Sequence, residues 1–146
     1  MKRILLAGAA FALGLTAVVA QDGDPIKRRQ AAFKSWAAAS REPGLMLRGE
    51  APFNIDKVRA ALRTFIDDNK HLPNLFPKPD APGGIDTAAL PAIYEEREKF
   101  NAIFAKLDAD ANAALVNIKD EATFKAEFPK VLANCGACHQ GYRAKR

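Results

Sequence analysis

Residues 120–142 read DEATFKAEFPKVLANCGACHQGY, and this stretch decides the fold. Phe124, Phe128, Val131, Leu132, Cys135, Cys138, His139 and Tyr142 recur at intervals that bring side chains to one face of an α-helix. Asp120 stands where a helix cap belongs. Pro129 lies inside the segment, where proline removes a backbone hydrogen bond and costs about 3 kcal/mol in a regular helix. Either the helix kinks there or it starts later. A helix with so apolar a stripe needs partners to cover it.

The partners are legible upstream. From near Pro91 to about Ile118, the residues Ile93, Arg97, Phe100, Phe104, Leu107, Ala111 and Leu115 share one helical face. Before them, residues 73–86 hold Pro73, Pro77, Pro79, Pro82, Gly83 and Gly84, which must form a loop. Another helix begins after Pro52 with Asn54 as its cap, carries Ile55, Val58, Leu62, Phe65 and Ile66 inward, and stops before Leu72-Pro73. The first helix opens with Asp24 as cap and Pro25 at its first position. Its stripe is Ile26, Phe33, Trp36 and Ala37, and it ends near Glu42-Pro43-Gly44 or continues irregularly to Gly49. Four amphipathic segments, no alternating apolar run and mostly short links predict an all-α, antiparallel four-helix bundle.

The start of the chain reads differently. Lys2 and Arg3 precede an uncharged apolar run from Ile4 to Val19, and Val18-Val19-Ala20 puts small residues where a signal peptidase cuts. The competing reading is an uncleaved membrane anchor, but the run is short for a span of about 20 residues. We expect a signal peptide over 1–20, cleaved on export to the periplasm, and one domain over 21–146 with no membrane attachment afterwards. Losing Lys2 and Arg3 lowers the formal charge from +5 to +3, and the remaining Lys and Arg are scattered along the helices. Such scatter is a solvated face, not a nucleic-acid footprint.

Cys135-Gly136-Ala137-Cys138-His139 is a C-x-x-C-H pattern, the attachment sequence of a c-type haem. Positions three apart on a helix point the same way, so both sulfurs can form thioethers to one edge of a flat ligand. His139 follows directly and brings an imidazole under the iron, while Gly136 and Ala137 let a macrocycle lie close to the backbone. Three other readings compete. A thioredoxin-like redox pair sits at the start of a helix that follows a strand, and no such pattern exists here. A disulfide between cysteines three apart would pin almost nothing. Zinc would need more ligands than these residues readily supply. With two haem propionates the exported chain would carry a charge of only about +1, so its basic pI says little about partners.

At this point the chain resembles the cytochrome c′ family of class II c-type cytochromes. The resemblance rests on Ile26-Lys27-Arg28-Arg29-Gln30-Ala31-Ala32-Phe33, on Arg48-Gly49-Glu50-Ala51-Pro52-Phe53, and on Cys135 to Arg143 with its Tyr142-Arg143 pair. It covers nearly all of the chain after the signal peptide. It implies one covalently attached haem c in a four-helix bundle, Arg29 as partner of a haem propionate, and Arg143 as the basic residue beside the proximal histidine. Without it, Arg29 reads as a solvated helix charge and Arg143 as a favourable charge at a helix C-terminus.

The second axial position of the iron decides function. After the signal peptide the chain has one methionine, Met46, and one histidine besides His139, His71. Relatives with six-coordinate haem place a methionine at the position of Phe33, and phenylalanine cannot ligate iron. Met46 falls outside the regular stripe and reads as packing; His71, beside a proline, reads as a surface residue or cap. The expectation is five-coordinate iron behind Phe33, open to small uncharged gases, which the resemblance implies are nitric oxide and carbon monoxide. Three functions follow for weighing. One is binding of nitric oxide, and another is electron transfer between periplasmic redox partner proteins, with a six-coordinate carrier as its extreme. The third, a peroxidase-like enzyme, lacks a distal acid–base residue, and no other catalytic set is present. The resemblance further implies a homodimer through the first two helices.

Overall fold

The computed structural model describes residues 24–77 and 87–145; the signal-peptide reading and most of the Pro/Gly-rich loop lie outside the described residues. Four long helices form the body: α1 (Pro25–Leu47), α2 (Ile55–Asn69), α4 (Arg97–Asn117) and α5 (Glu121–Tyr142). A 3-10 turn (Leu72–Leu75) follows α2, and the short α3 (Ala92–Glu95) precedes α4. Neighbours pack in the order α1, α2, α4, α5.

The caps explain where the helices begin and end. Asp24 accepts the Ile26 N–H at 3.0 Å with Pro25 at the first helical position. Asn54 accepts from Asp56 and Lys57 at 3.0 and 3.1 Å. Asp120 and Thr123 close a reciprocal capping box at the start of α5. The first helix continues through Pro43 and stops at a Schellman motif, with Glu50 N–H on the Leu45 carbonyl and Gly49 N–H on that of Met46. Gly49 has φ +74°, a conformation that residues with a Cβ rarely adopt. This settles the choice between the two expected ends in favour of the later one.

One detail differs from the sequence expectation, and another removes the later start as an alternative at Pro129. The segment from Pro91 to Ile118 is not one helix: Glu96 leaves helical geometry at φ −118°, ψ 44°, and its carboxylate accepts the Tyr142 hydroxyl at 3.1 Å. Around Pro129, α5 runs on unbroken. Both Pro129 and Lys125, whose carbonyl loses its donor, are exposed, so water can take the orphaned carbonyl.

Burial divides the core into two clusters, and their membership gives the helix directions. One holds Met46, Val58, Leu62, Phe65, Leu107, Ala111, Phe124, Phe128 and Val131, from the end of α1, the first part of α2, the second half of α4 and the first half of α5. The other gathers Leu72, Leu75, Phe76, Ile93, Phe100, Phe104 and Tyr142, with Phe33 and Cys138 packed against it. Starts and ends alternate at each pole, so each packed pair is antiparallel. The bundle is all-α, and no strand occurs among the described residues.

Candidate haem-attachment site

The C-x-x-C-H motif lies in the last turns of α5, at the pole of the second cluster. Cys135 and Cys138 are both free and half-buried. Burial pushes the Cys135 thiol above its ordinary value, and burial with the added field of Cys135 pushes Cys138 up to about 11. Both sulfurs are therefore neutral at physiological pH. A redox dithiol requires the opposite shift, and no group of three or more His, Cys, Asp or Glu able to hold a metal ion occurs among the described residues.

His139 differs from its expected place on the inner face. It is exposed, because one residue along a helix turns by about 100° and His139 cannot face the core beside Cys138. It shares its side of the helix with Cys135, four residues back. Arg143 approaches its ring, with a guanidinium nitrogen 3.4 Å from Nδ1 and 3.5 Å from Nε2. Partial screening of the imidazole lowers its pKa, and the Arg143 charge adds to that. A neutral imidazole is the form that ligates a metal.

The glycines of the motif bear on what lies against it. A Cβ added at Gly136 or Gly141 would meet nothing within 4 Å. Glycine inside a helix costs roughly 0.5–1 kcal/mol relative to alanine, and the chain's own packing gives no reason for it here. A flat group lying beside Gly136 would supply one there. Two sulfurs on one face and an adjacent neutral imidazole fit a covalently held haem with a histidine ligand.

Three other predicted residues converge on the same pole. Arg29 is buried, 3% exposed, and lies with its guanidinium 4.4 Å over the Phe76 ring. It donates to the Leu75 carbonyl at 3.1 Å and to the Thr87 hydroxyl at 2.9 Å. It is not the solvated helix charge of the alternative reading. Phe33 packs on the cluster that Cys138 joins and meets Trp36 edge-on at 5.6 Å. Arg143 is exposed, and its backbone pairs with Ala89, flanked by bonds from Leu90 N–H to the Tyr142 carbonyl and from Ala144 N–H to the Ala88 carbonyl. That strap ties the chain after the proline-rich loop to the end of α5.

The two alternative ligands fall elsewhere. Met46 is 3% exposed and belongs to the cluster at the far pole, so it is packing, as expected. His71 is exposed at the start of the 3-10 turn and makes no side-chain cap. The sequence reading missed Thr87, because a threonine at the edge of a loop carries no periodic signal. It also missed Asn134, which is buried next to the motif and donates to Asp110 on α4 at 2.7 Å. Its place on the stripe beside Val131 could have revealed it.

Known proteins agree with this geometry. The family model for cytochrome c′ matches residues 24–143. A cytochrome c′ of Rhodopseudomonas palustris is 44% identical over 98% of this chain and 92% of its own length. A cytochrome c-556 of Agrobacterium tumefaciens is 37% identical over 83% of this chain and 98% of its own length. Among solved structures, cytochrome c′ from Rhodopseudomonas palustris superposes with a TM-score of 0.81 at 46% identity, covering 85% of this chain and 98% of that one. The chain belongs to the cytochrome c′ family: it is a c-type cytochrome with an electron-transfer role, and Cys135 and Cys138 fit the attachment motif of the family's covalent haem c.

Proposed function

We propose that this cytochrome is exported to the periplasm and holds a five-coordinate haem, with His139 as its one protein ligand, and binds small uncharged gases such as nitric oxide besides passing electrons. The observation that carries this reading is the position of Phe33. It packs on the cluster that Cys138 joins, whereas Met46 is locked into the far cluster and His71 is exposed at the surface. Relatives named cytochrome c-556 stand beside relatives named cytochrome c′, so the family alone leaves the coordination number open.

When bound, the haem supplies a reversible ferric–ferrous couple and an axial position for a ligand. The chain's residues supply the rest. Cys135 and Cys138 anchor the group, and His139, neutral because of its partial screening and Arg143, holds the iron from one side. Phe33 and its apolar neighbours would exclude water and anions from the bound group while leaving room for a diatomic gas. Arg29 offers a buried positive charge at this pole, which suits a propionate. The chain pairs with itself through α1 and α2, and it hands electrons to periplasmic redox proteins. In this reading the protein is a carrier and binder.

Absorption and EPR spectra of the ferric and ferrous protein, before and after carbon monoxide, test the reading. We expect a high-spin ferric signal and ready carbon monoxide binding. A low-spin spectrum indifferent to carbon monoxide would transfer the protein to the six-coordinate carriers.

A further inference from the structure

The fold buries the indole N–H of Trp36 and gives it no acceptor. That nitrogen can only donate. Nearly all buried donors are partnered, so an exception calls for a reason. Trp36 follows Phe33 by one helical turn and Arg29 by two, and it packs against both core clusters. Its ring meets Phe33 at 5.6 Å and Phe65 at 5.8 Å, both edge-on, so apolar rings flank it at the boundary of the Cys138 cluster. Among the other polar tips at this pole, the Tyr142 hydroxyl is already engaged with Glu96.

We propose that Trp36 is a specificity-determining residue: its N–H donates to a diatomic ligand held beside Phe33. The inference rests on the open-site reading given above. An apolar pocket by itself ranks gases by size and iron affinity alone. A single buried donor adds a preference for ligands whose outer atom gains negative charge on binding, and it does so strongly because no water competes. The tryptophan thus supplies the distal hydrogen bond that the phenylalanine cannot.

The test uses the reduced holoprotein with carbon monoxide as the probe. Trp36 is the single tryptophan of the chain, so ultraviolet resonance Raman reports its N–H without interference. We expect the hydrogen-bond-sensitive indole band to move toward its bonded position when carbon monoxide is added. In Trp36→Phe, the C–O stretch should shift to higher frequency, because a donor at the oxygen lowers it. An indole band that stays in place in the wild-type protein would overturn the proposal even if the variant failed to fold. So would an unchanged stretch in a folded W36F protein. If carbon monoxide does not bind the wild-type protein at all, the open-site reading itself fails and the proposal goes with it, an outcome distinct from a bound adduct that leaves the indole unmoved.

Discussion

Replacing Arg29 by methionine tests whether the pole around the haem motif is built as described. Methionine keeps the apolar stem and removes the guanidinium, so the Leu75 carbonyl and the Thr87 hydroxyl lose their donor and Phe76 loses its cation. Two hydrogen bonds from a charged donor contribute about 1.5–3 kcal/mol each. The ring contact adds about 1 kcal/mol. Against this stands the relief from burying a charge, which returns several kcal/mol at a site only 3% exposed. The net expectation is a loss of about 2–4 kcal/mol. In urea unfolding of the holoprotein, followed by circular dichroism, that lowers the midpoint by about 1–2 M if m is near 2 kcal/mol/M. A Thr87→Val variant completes a double-mutant cycle, with an expected coupling of about 0.5–3 kcal/mol. A loss below about 0.5 kcal/mol, the value of a solvated arginine, together with zero coupling, would refute the reasoning.

Other outcomes are expected of the same molecule. Phe33→Met should turn the spectrum low-spin and suppress carbon monoxide binding; an unchanged high-spin spectrum would show that position 33 does not face the iron. Phe128→Ala should cost about 3–5 kcal/mol, since Phe128 is fully buried among Phe65 and Phe124, yet leave the haem spectrum unaltered because it lies in the far cluster. The Asp120 carboxyl is held below its ordinary value by the backbone N–H and hydroxyl of Thr123, so its stabilising effect is present above about pH 3.9 and fades as pH falls through the lower folded value. The gap in urea midpoint between the wild-type protein and Asp120→Ala should accordingly narrow on acidification; a gap independent of pH would count against the cap.

The helices were readable because each carries its own local signals. Asp24, Asn54 and Asp120 cap where their residue types predict, and Val58, Leu62 and Phe65 of α2 and Phe100, Phe104, Leu107 and Ala111 of α4 are buried as the spacing requires. Where reading was ambiguous, the deciding force was not local. Pro43 and Pro129 each left two readings open, and packing along α1 and solvent access at Lys125 let the helices continue past them. The break at Glu96 coincides with a bond from Tyr142, which is 46 residues away and has no periodic link to it. The site shows the same division. Cys135, Cys138 and His139 are visible as a contiguous motif, and Arg29 and Phe33 became candidates only through the family resemblance. The spacing that puts Arg29 one turn before Phe33 on the inward stripe agrees with its burial, but its contacts with Phe76 and Thr87 are tertiary facts that no spacing encodes.

The account stands first on haem held covalently through Cys135 and Cys138. An intact mass of the protein exported from cells that make c-type cytochromes, with a pyridine haemochrome spectrum, tests it most directly. The predicted result is the mass of residues 21–146 plus one haem, with a haemochrome band at the position of two saturated vinyl groups, and loss of attachment in the Cys135→Ser/Cys138→Ser protein. A mass without haem, or haem that solvent extraction removes, would contradict it.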